Sequence, residues 1–520
     1  MPGETAASRY DKLELTRMPY LERARQNSMV TIPSLFPPEG QASSTPLYKP
    51  WQSLGAYGVN NLSSKLMLGL FPPTRPFYRL VPNALAEEAQ PAEAKAEIDS
   101  ALAKAERRIF EEITGMRIRP AMYRGFRHLI VGGNYLVWIK DGTTVGYTLD
   151  QYVAVRSYSG KLLEVIIREL LPDDMIEEES PGVNLKNSYG PVGTPSTQTD
   201  RGMADRDERY VFTRFTLDNR IWRSYQEIDG LEVEGTRASY GRDKPAPVLA
   251  MRWHSSDGED YGRAFADDYV GDLASLEGLA ESIMRFAGVA SKIIFMMETT
   301  GSTDPRDLQR AKSGDFVRGN REDVKILALE DKVFDFQVTN QVYLEIQERL
   351  RFAFLLNSAA QRDAERVTAE EIRMMMNELE TAHGGVFSFF ADDLQLPLVQ
   401  IIMDDMRKRK LLPDLKEINV AIVTGVDALS RNQELQDMAE AFGIAGQLLG
   451  PQAMAAAVHP SEVMRRILTS KGIKLDGLLK SPEEMQQEQE QAQMAAMAEK
   501  AVGPAAGALA RQATQGEPTQ

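Results

Sequence analysis

The sequence predicts an α+β chain, mainly helical, with mixed helices and strands in its first half and helices dominating the second. Three observations lead there. Runs of β-branched and aromatic residues between residues 135 and 253 are separated by turn residues. Apolar residues recur at steps of three and four before and after that block. A stretch from Asp260 to Met406 alternates a helix, an irregular insert, a second helix, a short charged loop and a very long third helix.

The elements follow in order. Residues 9–31 form a charged amphipathic helix with Tyr10, Leu13, Leu15, Met18 and Leu21 on its apolar side, ended by Pro33, Pro37 and Pro38. A second helix starts at Pro50-Trp51, carries Leu54, Leu62, Leu66 and Leu70, and stops at Pro72-Pro73. Residues 84–115 are rich in Ala, Glu and Lys, a strong helix composition. Residues 119–131 form one more helix, ended at Gly132-Gly133.

Six strands follow, at 135–139, 152–155, 162–168, 210–217, 221–228 and 248–253. Asp141-Gly142, Ser159-Gly160, Asp218-Asn219 and Asp229-Gly230 separate several of them, so the block reads as a meander of hairpins. Between the third and fourth strands, residues 172–208 are polar and rich in Gly and Pro, a long surface loop.

Past residue 260, Tyr269, Leu273, Leu276, Ala280, Ile283 and Ala287 mark one helix face. Gly301, Pro305, Gly314 and Gly319 interrupt it, and the periodicity returns at Val342, Ile346 and Leu350. A helix that leaves and one that returns around an insert form an antiparallel pair. Thr368-Ala-Glu-Glu371 is a capping box that opens the third helix. That helix carries Ile372, Met376, Leu379, His383, Val386, Phe390 and Leu394 on one stripe and should kink at Pro397. Helical pieces are expected at 432–449 and 451–469, and a Gln-, Ala- and Met-rich tail from Ser481.

At 520 residues the chain can bury a large core in more than one domain. It has no cysteine, which excludes disulfides, thiolate metal sites and cysteine nucleophiles and fits a reducing compartment. The longest mainly apolar run, Leu129 to Ile139, is about half a membrane span, so no membrane helix is expected. The formal charge of −15 disfavours tight nucleic-acid binding by the chain as a whole.

No phosphate-binding loop and no nucleophile elbow is present. His128, His254, His383 and His459 lie far apart, without zinc-site spacing. The pairs Asp267-Asp268, Asp392-Asp393 and Asp404-Asp405 point about 100° apart on a helix and do not converge on one ion by themselves. The residues therefore describe a structural or interaction protein, with no cofactor and no metal. Arg306, Arg310, Lys312, Arg318, Arg321 and Lys325 lie within twenty residues of the insert, interleaved with Asp307, Asp315, Glu322 and Asp323. They form either an ordinary mixed-charge surface or a partner-docking one, and both readings stay open.

At this point a family resemblance is visible. Its residues are Thr31-Ile-Pro-Ser-Leu-Phe-Pro37, Pro50-Trp-Gln52, Asn60-Asn-Leu62 with Ser64-Lys-Leu-Met67, and Leu70-Phe-Pro72. Tyr261-Gly-Arg263, Gly271-Asp-Leu273, Gly314-Asp-Phe-Val317, Glu365-Arg-Val-Thr-Ala-Glu-Glu-Ile-Arg373, Leu394-Gln-Leu-Pro-Leu398 and Thr424-Gly425 extend it. Across roughly residues 9–480 the chain resembles the head-to-tail connectors, or portal proteins, of short-tailed bacteriophages of the podovirus type. The match is weakest at 172–208 and in the last forty residues.

The resemblance implies a ring, normally of twelve subunits, at one capsid vertex in the virion, assembled in the host cytoplasm. It implies double-stranded DNA passing through the ring, and terminase, scaffolding protein, major capsid protein, and tail adaptor and internal core proteins as partners, with no membrane. It maps residues 1–259 to a wing, 260–297 to a first stem helix, 298–336 to a clip and 337–357 to a second stem helix. A channel loop at 358–367, a long kinked helix at 368–410, a crown at 411–480 and a C-terminal tail at 481–520 complete the subunit. Gln361, Arg362, Asp363, Glu365 and Arg366 would face DNA; the six basic residues of the insert would meet motor or tail proteins. From Val338 to Gly384 there are eight acids and five bases, an acidic lining that suits sliding DNA. Arg362 and Arg366 touch phosphate in passing, or pair with Asp363, Glu365 or Glu370. Competing expectations are a capsid component without a channel and a metal-dependent nuclease using the paired acids.

Overall fold

The structure, a computed structural model of the chain, describes residues 4–38, 45–73, 76–82, 92–140, 142–173, 175–176, 208–242, 244–290, 295–297, 302–326, 333–356, 381, 389–412 and 418–422. The chain divides into two compact units, Met1–Val426 and Asp427–Gln520, and every described residue lies in the first. The helical pieces expected at 432–449 and 451–469 and the tail from Ser481 lie outside the described residues.

Helix α1 spans Ala6–Met29. Thr5 caps it, its hydroxyl accepting from the Ser8 N–H. Glu227, from a strand more than two hundred residues away, accepts from the N–H groups of Ala6 and Ala7 at 2.6 and 3.1 Å. A carboxylate there offsets the positive end of the helix dipole. Tyr10, Leu13 and Leu21 are buried as the periodicity requires, but Leu15 is exposed and Arg17 is buried in its place. Arg17 is accommodated because its guanidinium donates to Tyr10, to the carbonyls of Asp150 and Tyr152, and to Glu14.

Helices α2 (Leu54–Leu70), α3 (Ala92–Gly115) and α4 (Ile118–Gly132) follow. Strand β1 (Tyr78–Pro82) stands between α2 and α3 and pairs antiparallel with the later strand Ile418–Ile422. Gly133 ends α4 in the left-handed region at φ 73°. A Cβ at Gly133 would meet the backbone of Arg263 and Ala264 at 2.6–2.7 Å, so this close crossing requires glycine.

The strands split into two sheets. Strand β2 (Asn134–Lys140) turns at Gly142 into β3 (Thr143–Tyr147), which the sequence pattern did not reveal. Then β4 (Tyr152–Arg156), β5 (Leu162–Pro172), β6 (Glu208–Asp218) and β7 (Ile221–Ile228) form the expected antiparallel meander. Asn219, Asp229, Gly160 and Gly230 supply its positive-φ turns. Short β8 (Leu231–Glu232) and β9 (Ala238–Ser239) both pair with β7. The last predicted strand, β10 (Val248–Arg252), leaves the meander and pairs with β2, more than a hundred residues back. Ala6, Tyr10 and Leu13 of α1 pack on Val153, Ile166 and Phe212 of the larger sheet.

The helical half starts with a 3-10 turn at Phe265–Asp268 and continues as α5 (Val270–Ala290). A two-stranded hairpin, β11 (Phe295–Met297) with β12 (Val324–Ile326), carries the short helix α6 (Pro305–Arg310) in its loop. Helix α7 spans Val333–Ala353, so the returning helix starts four residues before the expected 337. A π turn at Ala391–Gln395 precedes α8 (Leu396–Lys408). Pro397 thus sits in the first turn of α8, where its missing N–H breaks no helical bond, and the π turn takes up the change. Residues 368–380, including the Thr368 capping box, and His383 lie outside the described residues. Strand β13 (Ile418–Ile422) closes the first unit against β1.

Candidate functional site: helical stem and charged tip

Helices α5 and α7 run antiparallel. At the start of α5 Arg349 meets Asp272 at 3.0 Å; near the hairpin the rings of Phe286 and Phe336 stack at 4.9 Å. The seam between them has heptad spacing: Leu273, Leu276 and Ala280 face Ile346 and Leu350, all buried. Burial fades outward, with Ile283 half-buried and Ala287 exposed. The pair is therefore rooted in the body and bare toward its tip.

Two clamps hold the root. Glu277 on α5 accepts from the Tyr48 hydroxyl at 2.6 Å and from the N–H groups of Trp51 and Gln52 at 2.8 and 3.3 Å. That hydrogen bond to a carboxylate, aided by burial, pushes the Tyr48 phenol up to about 12. At the end of α7, Leu355 takes a left-handed φ of 53°, with Leu355 N–H on Phe352 O and Leu356 N–H on Arg351 O. This is a Schellman ending with leucine where glycine is usual. Asn61 donates to the carbonyls of Phe354 and Leu355 at 3.0 and 3.3 Å, and the Lys65 ammonium to Leu355 at 2.6 Å. One turn apart on an otherwise apolar face of α2, these two residues fix the point from which the chain enters residues 357–367. The motif Asn60-Asn-Leu62, Ser64-Lys-Leu-Met67 holds both; only their polarity on an apolar helix face could have flagged them.

At the tip, Asp323 is the organising group. Its carboxylate accepts from the N–H and hydroxyl of both Ser302 and Thr303, at 2.8–3.3 Å. The Thr303 hydroxyl bond, then the backbone donors, hold its pKa below the usual carboxylate value despite burial. A Cβ at Gly319 would sit 2.1 Å from the Thr303 hydroxyl, so the loop closes only on glycine. Asp304 caps α6 through the Arg306 N–H.

This frame presents Arg306, Arg310, Lys312 and Arg318 on the exposed surface, and among the described residues none of the four is held in an ion pair. Arg321 opens a 3-10 turn and Lys325 lies in β12 opposite Met296. Phe316 is fully exposed among them, at 105%. Gln361, Arg362, Asp363, Glu365 and Arg366 lie outside the described residues.

Of the paired acids, Asp267, Asp404 and Asp405 are engaged by neighbouring groups. Asp267 accepts from Asn27 and from the Ala264 N–H. Asp404 pairs with Lys244 and Arg407, and Asp405 with Arg409. Among the described residues no group of three or more His, Asp or Glu lies close enough to hold a metal ion. His128 is buried, stacked on Tyr135 at 5.4 Å and edge-on to Phe36 at 5.1 Å. Burial, reinforced by Arg127 and Arg124, lowers its pKa to about 3.

Known proteins resemble the chain along nearly its whole length. It is 34% identical over 521 residues to the portal protein of Escherichia phage T7, covering 98% of this chain and 94% of the relative. It is 34% identical over 496 residues to the portal protein of Enterobacteria phage T3, covering 93% and 90%. A chain of the neck of a native GTA particle computed with C12 symmetry overlaps 81% of this chain and 90% of its own length at 9% identity. Its TM-score of 0.33 is too low for that likeness to bear on this chain. The family of bacteriophage head to tail connecting proteins matches residues 3–479, and the chain belongs to that family.

Proposed function

We propose that this chain is a portal subunit: a non-enzymatic component of a closed ring at one capsid vertex, through which double-stranded DNA is packaged and ejected. The family match over residues 3–479 carries this reading. In it, residues 1–259 form the wing, 260–297 and 337–357 the stem, 298–336 the clip, 368–410 the long helix and 411–480 the crown. The exposed cations at the tip, which form no ion pair among the described residues, suit a docking surface for terminase and later for tail proteins, with Arg306, Arg310, Lys312 and Arg318 in direct reach. The Asn61–Lys65 clamp would set the origin of the channel loop, and Arg362 and Arg366 would touch phosphate in passing. An otherwise acidic channel suits DNA that must slide, because many phosphate contacts would act as a brake. The same ring would nucleate the procapsid together with scaffolding protein.

Native mass measurement with negative-stain imaging tests the reading. Closed rings with an axial opening, of about twelve subunits, are the expected outcome; a monomer under assembly conditions, or closed sheets without a hole, would sink it. Replacing Arg362 and Arg366 by Ala should leave rings intact and lower DNA packaging or retention. Loss of rings would instead assign both arginines to the subunit interface.

A further inference from the structure

Among the described residues, the α5–α7 pair leaves two different faces uncovered. On α7, Phe334, Val338 and Val342 form an apolar stripe at 73%, 49% and 40% exposure. Helical geometry puts it about 130° round from the seam with α5. On α5, Gly278 and Ser282, one turn apart, are exposed on the side turned away from α7. A Cβ added at Gly278 would meet nothing within 4 Å, so this small-residue face is a shallow trough.

The heights of the two faces match. The contacts Phe286–Phe336 and Asp272–Arg349 fix which residues of α5 and α7 lie at one level along the stem. At those levels Val338 is within one to two residues of Ser282, and Val342 within one to two residues of Gly278. Knobs on one side of the pair thus stand at the heights of small residues on the other. Because the knobs and the trough belong to different faces, one copy cannot satisfy itself.

We infer that the α7 stripe of one subunit packs into the α5 trough of a second copy of this chain at the same height, pairing Val338 with Ser282 and Val342 with Gly278. This deepens the ring reading above and rests on it. Unlike faces give a head-to-tail contact, which closes into a ring when each step turns the next copy. The stripe and the trough do not lie diametrically opposite, so each step does turn. Large residues seated over glycine and serine also let the two helices approach closely.

The absence of cysteine makes the test clean. A chain carrying Val338→Cys and Ser282→Cys, assembled and then oxidised, should give a ladder of covalent oligomers on a non-reducing denaturing gel. Val338→Cys with Gly271→Cys, about 18 Å out of register along the stem, should give none. Separately, Gly278→Leu should leave the circular dichroism melt of the unassembled subunit unchanged and lower ring yield at least tenfold. Rings of normal mass with no Val338–Ser282 cross-link, with equal cross-linking of both pairs, or with undiminished yield from Gly278→Leu would overturn the inference and leave the ring reading standing. Absence of any association between unmodified copies would overturn both.

Discussion

The Lys65 ammonium donates to the Leu355 carbonyl at 2.6 Å, joining the middle of α2 to the end of α7 across 290 residues of sequence. Both groups are buried, and Leu355 is held in a left-handed conformation that costs a leucine about 1–2 kcal/mol. The bonds from Lys65 and Asn61 offset that cost. Lys65→Met keeps most of the side-chain volume and strips a donor from a buried carbonyl. The expected loss is roughly 1–3 kcal/mol, read as a lower urea midpoint with an unchanged slope. An unchanged midpoint would mean that Asn61 alone suffices.

Gly58 lies two turns before Lys65 on α2. A Cβ there would press on the Phe354 ring at 2.5 Å. Gly58→Ala should destabilise the subunit by about 1–3 kcal/mol through overpacking. Gly115, the last residue of α3, has open space around it, so Gly115→Ala should be neutral or stabilising by up to about 1 kcal/mol. Thermal melts of the two variants side by side would separate crowding from helix propensity.

His128 sets a pH dependence whose sign is fixed. Its folded pKa is about 3, below the ordinary value of 6.5. Between those values the unfolded chain binds a proton that the folded chain refuses, so this contribution is full above about 6.5 and is lost as pH falls toward 3. His128→Phe should remove it. The wild type should lose about 2–3 kcal/mol more than the variant between pH 7 and 4.5. Urea midpoints at the two pH values test this; equal losses would rule out His128 as the source.

Asp323 should behave likewise within the tip. Its lowered pKa means that its stabilisation is full above the unfolded carboxylate range and disappears as pH falls below it. Asp323→Ala removes the acceptor for four donors from Ser302 and Thr303 at any pH. Amide exchange at Val324–Ile326 should rise several-fold while exchange in the buried α4 core stays constant. Equal rises in both regions would mean that the tip is not an independent unit.

The tip cations make a contrasting case. Arg306, Arg310 and Arg318 are exposed. Reversing all three to Glu should change subunit stability by only about 0.5 kcal/mol per site. Terminase binding, measured by titration at two salt concentrations, should weaken and lose much of its salt dependence. Binding that is unaffected would return the cluster to an ordinary mixed-charge surface.

Much of the local architecture was legible because it is periodic. Leu273, Leu276 and Ala280 announced the α5 seam, and turn pairs such as Ser159-Gly160 and Asp229-Gly230 announced the meander. Pairings between distant segments were not legible. β10 reads like one more hairpin strand, yet it returns to β2; β1 is short and finds its partner at 418–422. No spacing rule couples such segments. Arg17 was hidden because a charged residue on an apolar stripe looks like a break in the pattern until its carbonyl partners are in place. The clamps were hidden for the same reason. Glu277, Asn61 and Lys65 are ordinary polar residues until the groups they bond, far off in sequence, come beside them.

The ladder between β5 and β6 runs without interruption to its end, where Pro172 stands opposite Glu208. The two ends of the intervening chain are therefore held side by side by the sheet, whatever lies between them. Lengthening that segment adds only a slowly growing entropy of closure, about 0.6 kcal/mol for each doubling. The hairpin is thus a ready grafting port. An epitope, an affinity handle or a small folded domain placed between residues 177 and 207 would be carried by every copy in an assembled particle without disturbing strand register.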